Sequence, residues 1–204
     1  MNTNQIVFKL NTNESIIFEL FDDVSKLYPC DEVVVKFYNK NNKYLLGIDC
    51  IRERTESLFN LINDALDNKA KLHKSILNDI GYLWNEEMQD KPGLSYFKID
   101  SIKYWVGLKN LIWATPSNAN PILSTWLYNN ASGEIILEIT PSYPWHFIDT
   151  EDTKDENFIS YEEWEKTYKP LAKSIIPKEI AIAWKKQAQE ILDQIKKNVE
   201  EYEK

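Results

Sequence analysis

Residues 124–140 read STWLYNNASGEIILEIT. Two runs rich in Trp, Tyr, Thr and Ile flank NNASG at 129–133, a turn whose Asn and Gly residues tolerate left-handed backbone. The spacing predicts a β-hairpin with arms at 124–128 and 134–140. Successive side chains on a strand point to opposite faces, so Ile135, Leu137 and Ile139 share one face, and Glu134, Ile136 and Glu138 the other. That alternation predicts an antiparallel sheet with one buried side and one wet side.

The same signature recurs upstream. Segments 33–38 and 44–50 flank NKNNK at 39–43 and predict another hairpin, and 5–10 and 15–21 add further strands. From residue 54 the period changes. Leu58, Phe59, Leu61, Ile62, Ala65 and Leu66, then Leu72, Ile76, Leu77, Ile80, Leu83 and Trp84, recur at three- and four-residue steps. They predict helices over 54–67 and 69–89, stopped by KPG at 91–93. Strand character returns at 96–106 and 108–115 and leads through TPSNANP into the hairpin.

Beyond the hairpin the pattern turns helical. Ser160 stands three residues before Glu163, the spacing of a capping box, and Pro170 and Pro177 punctuate the chain. Over 178–203, Ile180, Trp184, Ala188, Ile191, Leu192, Ile195, Val199 and Tyr202 form one stripe opposed by Lys and Glu. The stripe is expected to dock on the chain's own sheet or on a second copy, as a homodimer. The order is β over 5–51, helices over 54–89, β over 96–140 and helices over 160–203. It predicts an α+β fold, mainly antiparallel sheet with helices packed on one face and a long C-terminal helix. A single domain over 1–204 is expected, with one sheet of six to eight strands. Two β-then-α halves are the alternative.

Composition narrows the function. The chain has 204 residues, 24 Lys+Arg against 32 Asp+Glu, and a net charge of -8. Nucleic-acid binders neutralise phosphates with clustered basic residues, so no nucleic acid is expected as a partner. No apolar run reaches membrane-spanning length and no signal segment opens the chain, so no membrane partner and a cytoplasmic location are expected. Cys30 and Cys50 each adjoin a hydrophobic run, which predicts buried free thiols rather than a bridge.

Motifs for catalysis are sparse. The five glycines, at 47, 81, 93, 107 and 133, are isolated, whereas a phosphate-cradling loop needs them clustered. His73 lies between lysines, and Cys30, Cys50, His73 and His146 are too scattered for a zinc knuckle. Paired carboxylates for acid–base work could come from Glu134 and Glu138, or from Glu162 and Glu163. On the outer side of a sheet such residues usually face water. With Arg52 and Arg54 the sole arginines, phosphate- or carboxylate-handling chemistry is weakened further. No enzyme activity, cofactor or metal is expected.

The stretch TPSYPWHFIDTEDTKDE at 140–156 is the most distinctive. Pro141 and Pro144 make a rigid corner around Tyr143, Trp145, His146 and Phe147. Asp149, Glu151, Asp152, Asp155 and Glu156 follow. Alternating oxygens suit a calcium loop, but Lys154 intrudes and the central Gly is missing. Aromatic rings beside carboxylates are the composition of a protein interface. The candidate partner-binding residues are therefore Tyr143, Trp145, His146, Asp149, Glu151, Asp152, Asp155 and Glu156. An apolar ligand pocket under the corner, lined by Trp126, Tyr143 and Trp145, is the alternative.

WLYNNASGEIILEITPSYPWHF, continuing into SYEEWEKTYKPLAKSIIPKEIAIAWKKQAQEIL, resembles small bacterial proteins of the toxin-immunity type, over about 124–195. The resemblance implies a non-catalytic cytosolic inhibitor of a protein toxin, and the net charge of -8 fits a partner that is itself basic. It carries over no functional residue.

Overall fold

The computed structural model describes residues 4–40, 42–76, 79–89, 95–146 and 157–203. The architecture is α+β, built on antiparallel sheets with a long C-terminal helix. The first four strands, β1 (Gln5–Lys9), β2 (Glu14–Leu20), β3 (Glu32–Asn39) and β4 (Asn42–Cys50), form one sheet in sequence order. Every neighbouring pair in it is antiparallel. Phe8, Ile16, Phe18, Val35 and Phe37 are sealed on its inner face. The outer face is charged, where Lys36 and Lys43 pair with Glu19.

Helix α1 (Ile51–Leu66) follows β4 directly and buries Ile51, Leu58, Ile62 and Ala65. The last helix of the chain packs against it over Lys178–Tyr202, burying Ala181, Trp184, Ala188, Ile191 and Ile195 within the same chain. Trp184 meets Phe8 edge-on at 6.0 Å, and its indole N–H donates to the Lys9 carbonyl (3.0 Å). Tyr202, the end of the expected stripe, is exposed.

A second sheet, rather than an extension of the first, holds the hairpin of 124–140. Its strands are β7 (Leu111–Ala114), β8 (Leu123–Asn129), β9 (Ile135–Pro141) and β10 (Ala172–Ile176), in the order β10-β9-β8-β7. The predicted turn closes with Gly133 at φ 85°. Leu123, Leu127, Leu137 and Ile139 join one hydrophobic core with the first sheet, α1 and the C-terminal helix. Between β4 and β7, β5 (Tyr96–Ile99) and β6 (Ile102–Trp105) make a small hairpin of their own.

Four expectations are corrected. The Ile136–Glu138 side of β9 is not wet: Ile136 and Glu138 are 4% and 1% exposed. Helix α2 (Ile80–Met88) lies across that face, and Ile80 and Trp84 cluster there with Trp105, Trp126 and Ile136. α2 approaches so closely that a Cβ on Gly81 would stand 2.4 Å from the Thr140 side chain. Second, among the described residues the helix predicted over 69–89 forms as an α-helix only at 80–88, with a single 3-10 turn at Lys74–Ile76 before it. Upstream, Lys71 bridges Asn129 in parallel and the Ala70 carbonyl accepts from the Asn129 N–H (3.0 Å), so sheet-like bonds replace the helical ones. The KPG stop at 91–93 lies outside the described residues. Third, residues between Pro170 and Pro177 form β10, an edge strand on β9, where a helical region was expected. The prolines bracket that strand, leaving its N–H groups available for the ladder. Finally, both cysteines are free, but Cys30 is exposed in the turn before β3 and Cys50, the last residue of β4, is half-buried.

Candidate functional site

The corner after β9 is held from beneath by α2. Asn85, fully buried, donates to the Gly81 carbonyl (2.7 Å) and to the Pro141 carbonyl (3.1 Å), and accepts from the Tyr143 N–H (2.7 Å). A buried amide with three good bonds fixes the chain leaving the strand. Sequence reasoning missed Asn85. The available signal was a polar residue among the inward positions of an apolar helix.

The candidate residues separate in depth. Tyr143 is 4% exposed, its ring packed on His146 (5.3 Å), Tyr161 (5.3 Å) and Trp164 (5.5 Å), and its hydroxyl donates to the Ile159 carbonyl (2.8 Å). Tyr143 is therefore a core residue of the corner rather than a contact surface. Trp145 and His146 are half-buried. Trp145 meets Phe158 edge-on (5.6 Å). The Gln89 amide donates to Nδ1 of His146 (3.0 Å), which puts the proton of the neutral ring on Nε2. Burial lowers the His146 pKa to about 4, so the ring is neutral near pH 7. Phe147, Asp149, Glu151, Asp152, Asp155 and Glu156 lie outside the described residues.

Two open clefts flank the corner. One, about 330 Å³, is lined by Trp145, Pro144, Ile159 and Trp164. The other, about 410 Å³, is lined by His146, Trp84, Met88, Ser124 and Ser142. Trp126, expected in a pocket wall, is fully buried in the core below. Depressions of similar size lie at α1–β10 and beside β1. Volume therefore does not single out the corner; its ring content does.

Beside it lies a layer of tyrosines on carboxylates. Helix α3 (Tyr161–Glu165) begins at Ser160, whose hydroxyl accepts from the Glu163 N–H (3.3 Å), as the capping spacing predicts. Tyr161 donates to Glu86 of α2 (2.8 Å), and Tyr82 of α2 donates to Glu165 of α3, a reciprocal clasp. Tyr168 donates to Asp79 (3.0 Å) and Tyr128 to Glu138 (2.5 Å). Bonding to Glu165 raises the Tyr82 pKa; burial, then the carboxylate partner, raises those of Tyr128, Tyr161 and Tyr168. All four hydroxyls keep their protons at neutral pH.

The carboxylate pairs suggested by the sequence do not assemble. Glu138 is buried and pairs with Lys173 (3.0 Å), while Glu134 is exposed in the hairpin turn and bonded to Asn130 (2.7 Å) and Ser132 (3.0 Å). Those bonds lower the Glu134 pKa. Glu162 and Glu163 are exposed, and His73 is an exposed residue bonded to Ser75 (2.7 Å). Among the described residues no group of three or more His, Cys, Asp or Glu could hold a metal ion, and no helix is long and apolar enough to cross a membrane. Comparison with protein-family models, with curated proteins and with solved structures found no match.

Proposed function

We propose that this chain is a non-catalytic binding protein, an immunity-type inhibitor that blocks a basic protein toxin through the 143–147 corner and the acidic segment that follows it. The observation that carries the reading is the corner itself. Trp145 and His146 stand half-exposed on a base that Asn85 and Tyr143 hold in place, so two rings are presented on a rigid support. Preorganised aromatic anchors bind at low ordering cost. A net charge of -8, with five carboxylates at 149–156, suits a partner whose phosphate-binding cleft is basic. The described carboxylates nearest the corner support a structural role rather than acid–base work, because Glu86, Glu165, Asp79 and Glu138 each accept a tyrosine hydroxyl.

The test is recovery of a partner from the native host by pull-down, followed by Trp145→Ala. Binding is expected to weaken by about 1–3 kcal/mol while the melting temperature changes little. Unchanged affinity would remove the corner from the interface.

The cleft beside His146 favours a second reading, a small apolar ligand anchored by Ser124, Ser142 and the imidazole. A ligand screen by NMR, with His146 ring signals as reporter, separates the two. Shifts confined to that cleft favour a ligand; their absence favours a protein surface.

A further inference from the structure

The turn entering β3 and the start of α1 bring the two cysteines of the chain together. Pairing of β3 with β4 sets Glu32 opposite Cys50. Past that pair, two bonds run onto the first turn of α1: Ile51 N–H donates to the Asp31 carbonyl (2.8 Å) and Arg52 N–H to the Pro29 carbonyl (3.3 Å). Cys30 lies between the two acceptors, and Cys50 immediately precedes the two donors. Cys30 is exposed, Cys50 is half-buried, and both are free. The Cys50 pKa is raised by burial first, then by the charge and hydrogen bonding of the Cys30 thiol.

We propose that Cys30 and Cys50 form a redox-responsive dithiol that a small-molecule disulfide closes into an intramolecular bridge. Cys30, the reachable thiol, loses its proton and attacks one sulfur of the disulfide. The S–S bond breaks, one small thiolate leaves, and Cys30 is held as a mixed disulfide. Cys50 then gives up its proton and attacks Cys30 Sγ, expelling the second small thiolate. Two protein thiols are oxidised, one external disulfide is reduced, and the two protons go to the two leaving thiolates. The bridge ties the 28–31 turn to the N-terminus of α1. It is independent of what the 143–147 corner binds.

The test uses the full chain with oxidised glutathione, reading thiol titration, intact mass and non-reducing peptide mapping. Loss of both thiols is expected, with a mass about 2 Da lower and a single cross-link joining the Cys30 and Cys50 peptides, reversed by a dithiol reductant. Cys50→Ser is expected to stop at a stable glutathione adduct on Cys30. Cys30→Ser is expected to react about tenfold more slowly or less, because the remaining thiol is shielded. A wild-type chain that keeps both thiols, retains a stable glutathione adduct on Cys30 beside a free Cys50, or links only between molecules overturns the proposal.

Discussion

Glu138 sits 1% exposed in the middle of β9, with the Tyr128 hydroxyl on one side and the Lys173 ammonium on the other. A charge taken out of water survives there because both neighbours satisfy it. Removing the partner of a buried ion costs more than the pair contributes. Glu138→Ala is therefore expected to lower unfolding free energy by about 3–5 kcal/mol, and Tyr128→Phe by about 1–3 kcal/mol, in urea titrations. A neutral Tyr128→Phe would mean that Lys173 alone satisfies the carboxylate. His146 makes a pH-dependent contribution. Its folded pKa of about 4 lies below the ordinary 6.5, so the unfolded chain holds the proton more tightly. The stability linked to it is fully present above about pH 6.5 and is lost as pH falls toward 4. Discounted for a half-buried ring, the loss is on the order of 1–2 kcal/mol. His146→Gln is expected to flatten the melting-temperature profile between those limits relative to wild type; parallel profiles would refute it.

At the scale of elements, helices are positioned by what they bury. The C-terminal helix places Trp184 and Ile191 against the first sheet and α1 at 2% and 5% exposure. Trp184→Ala and Ile191→Ala are each expected to cost about 2–5 kcal/mol, since the packed surroundings cannot collapse fully into the space. Chemical denaturation measures this directly, and losses under half a kcal/mol, roughly the surface level, would place the stripe outside the core. α2 is set by absence of a side chain. Gly81 lets its helix lie on Thr140, where a Cβ would meet three side-chain atoms within 2.5 Å. Alanine is the better helix former in isolation, yet Gly81→Ala is expected to destabilise by about 1–3 kcal/mol or more, because the helix must lift from the sheet. An increase in stability would show that the contact yields easily.

At the scale of the whole molecule, charge and corner act on different rates. Carboxylates steer encounter at long range, whereas a seated ring slows escape. Asp152→Lys with Asp155→Lys is expected to slow association with a basic partner by about tenfold at low salt, with melting temperature unchanged. Trp145→Ala is expected to act on dissociation instead. Kinetics at two salt concentrations distinguish them, and a charge reversal without effect at low salt would remove the acidic segment from the steering role.

Much of the architecture was legible in the sequence alone. NNASG between two β-rich runs requires a hairpin wherever it is placed, and the stripe from Ile180 to Ile195 requires a buried helix face, because both signals are local and periodic. The corner was legible for the same reason: Pro141 and Pro144 restrict the backbone whatever surrounds them. Only tertiary structure decided which rings of that corner are core and which are surface. Tyr143 and Trp145 are equivalent in composition, yet Asn85, 58 positions upstream of Tyr143, binds the backbone of one and leaves the other half-exposed. The same long-range packing turned an expected wet face dry, since α2 covers it while the Tyr128 hydroxyl and the Lys173 ammonium supply what water would have supplied to Glu138. It also withdrew residues 70–71 from a helix their periodicity favoured, because bonds to Asn129 replaced those of the helix. Periodicity records which residues will be buried or exposed on a given element, and the second layer that covers that element comes from sequence far away.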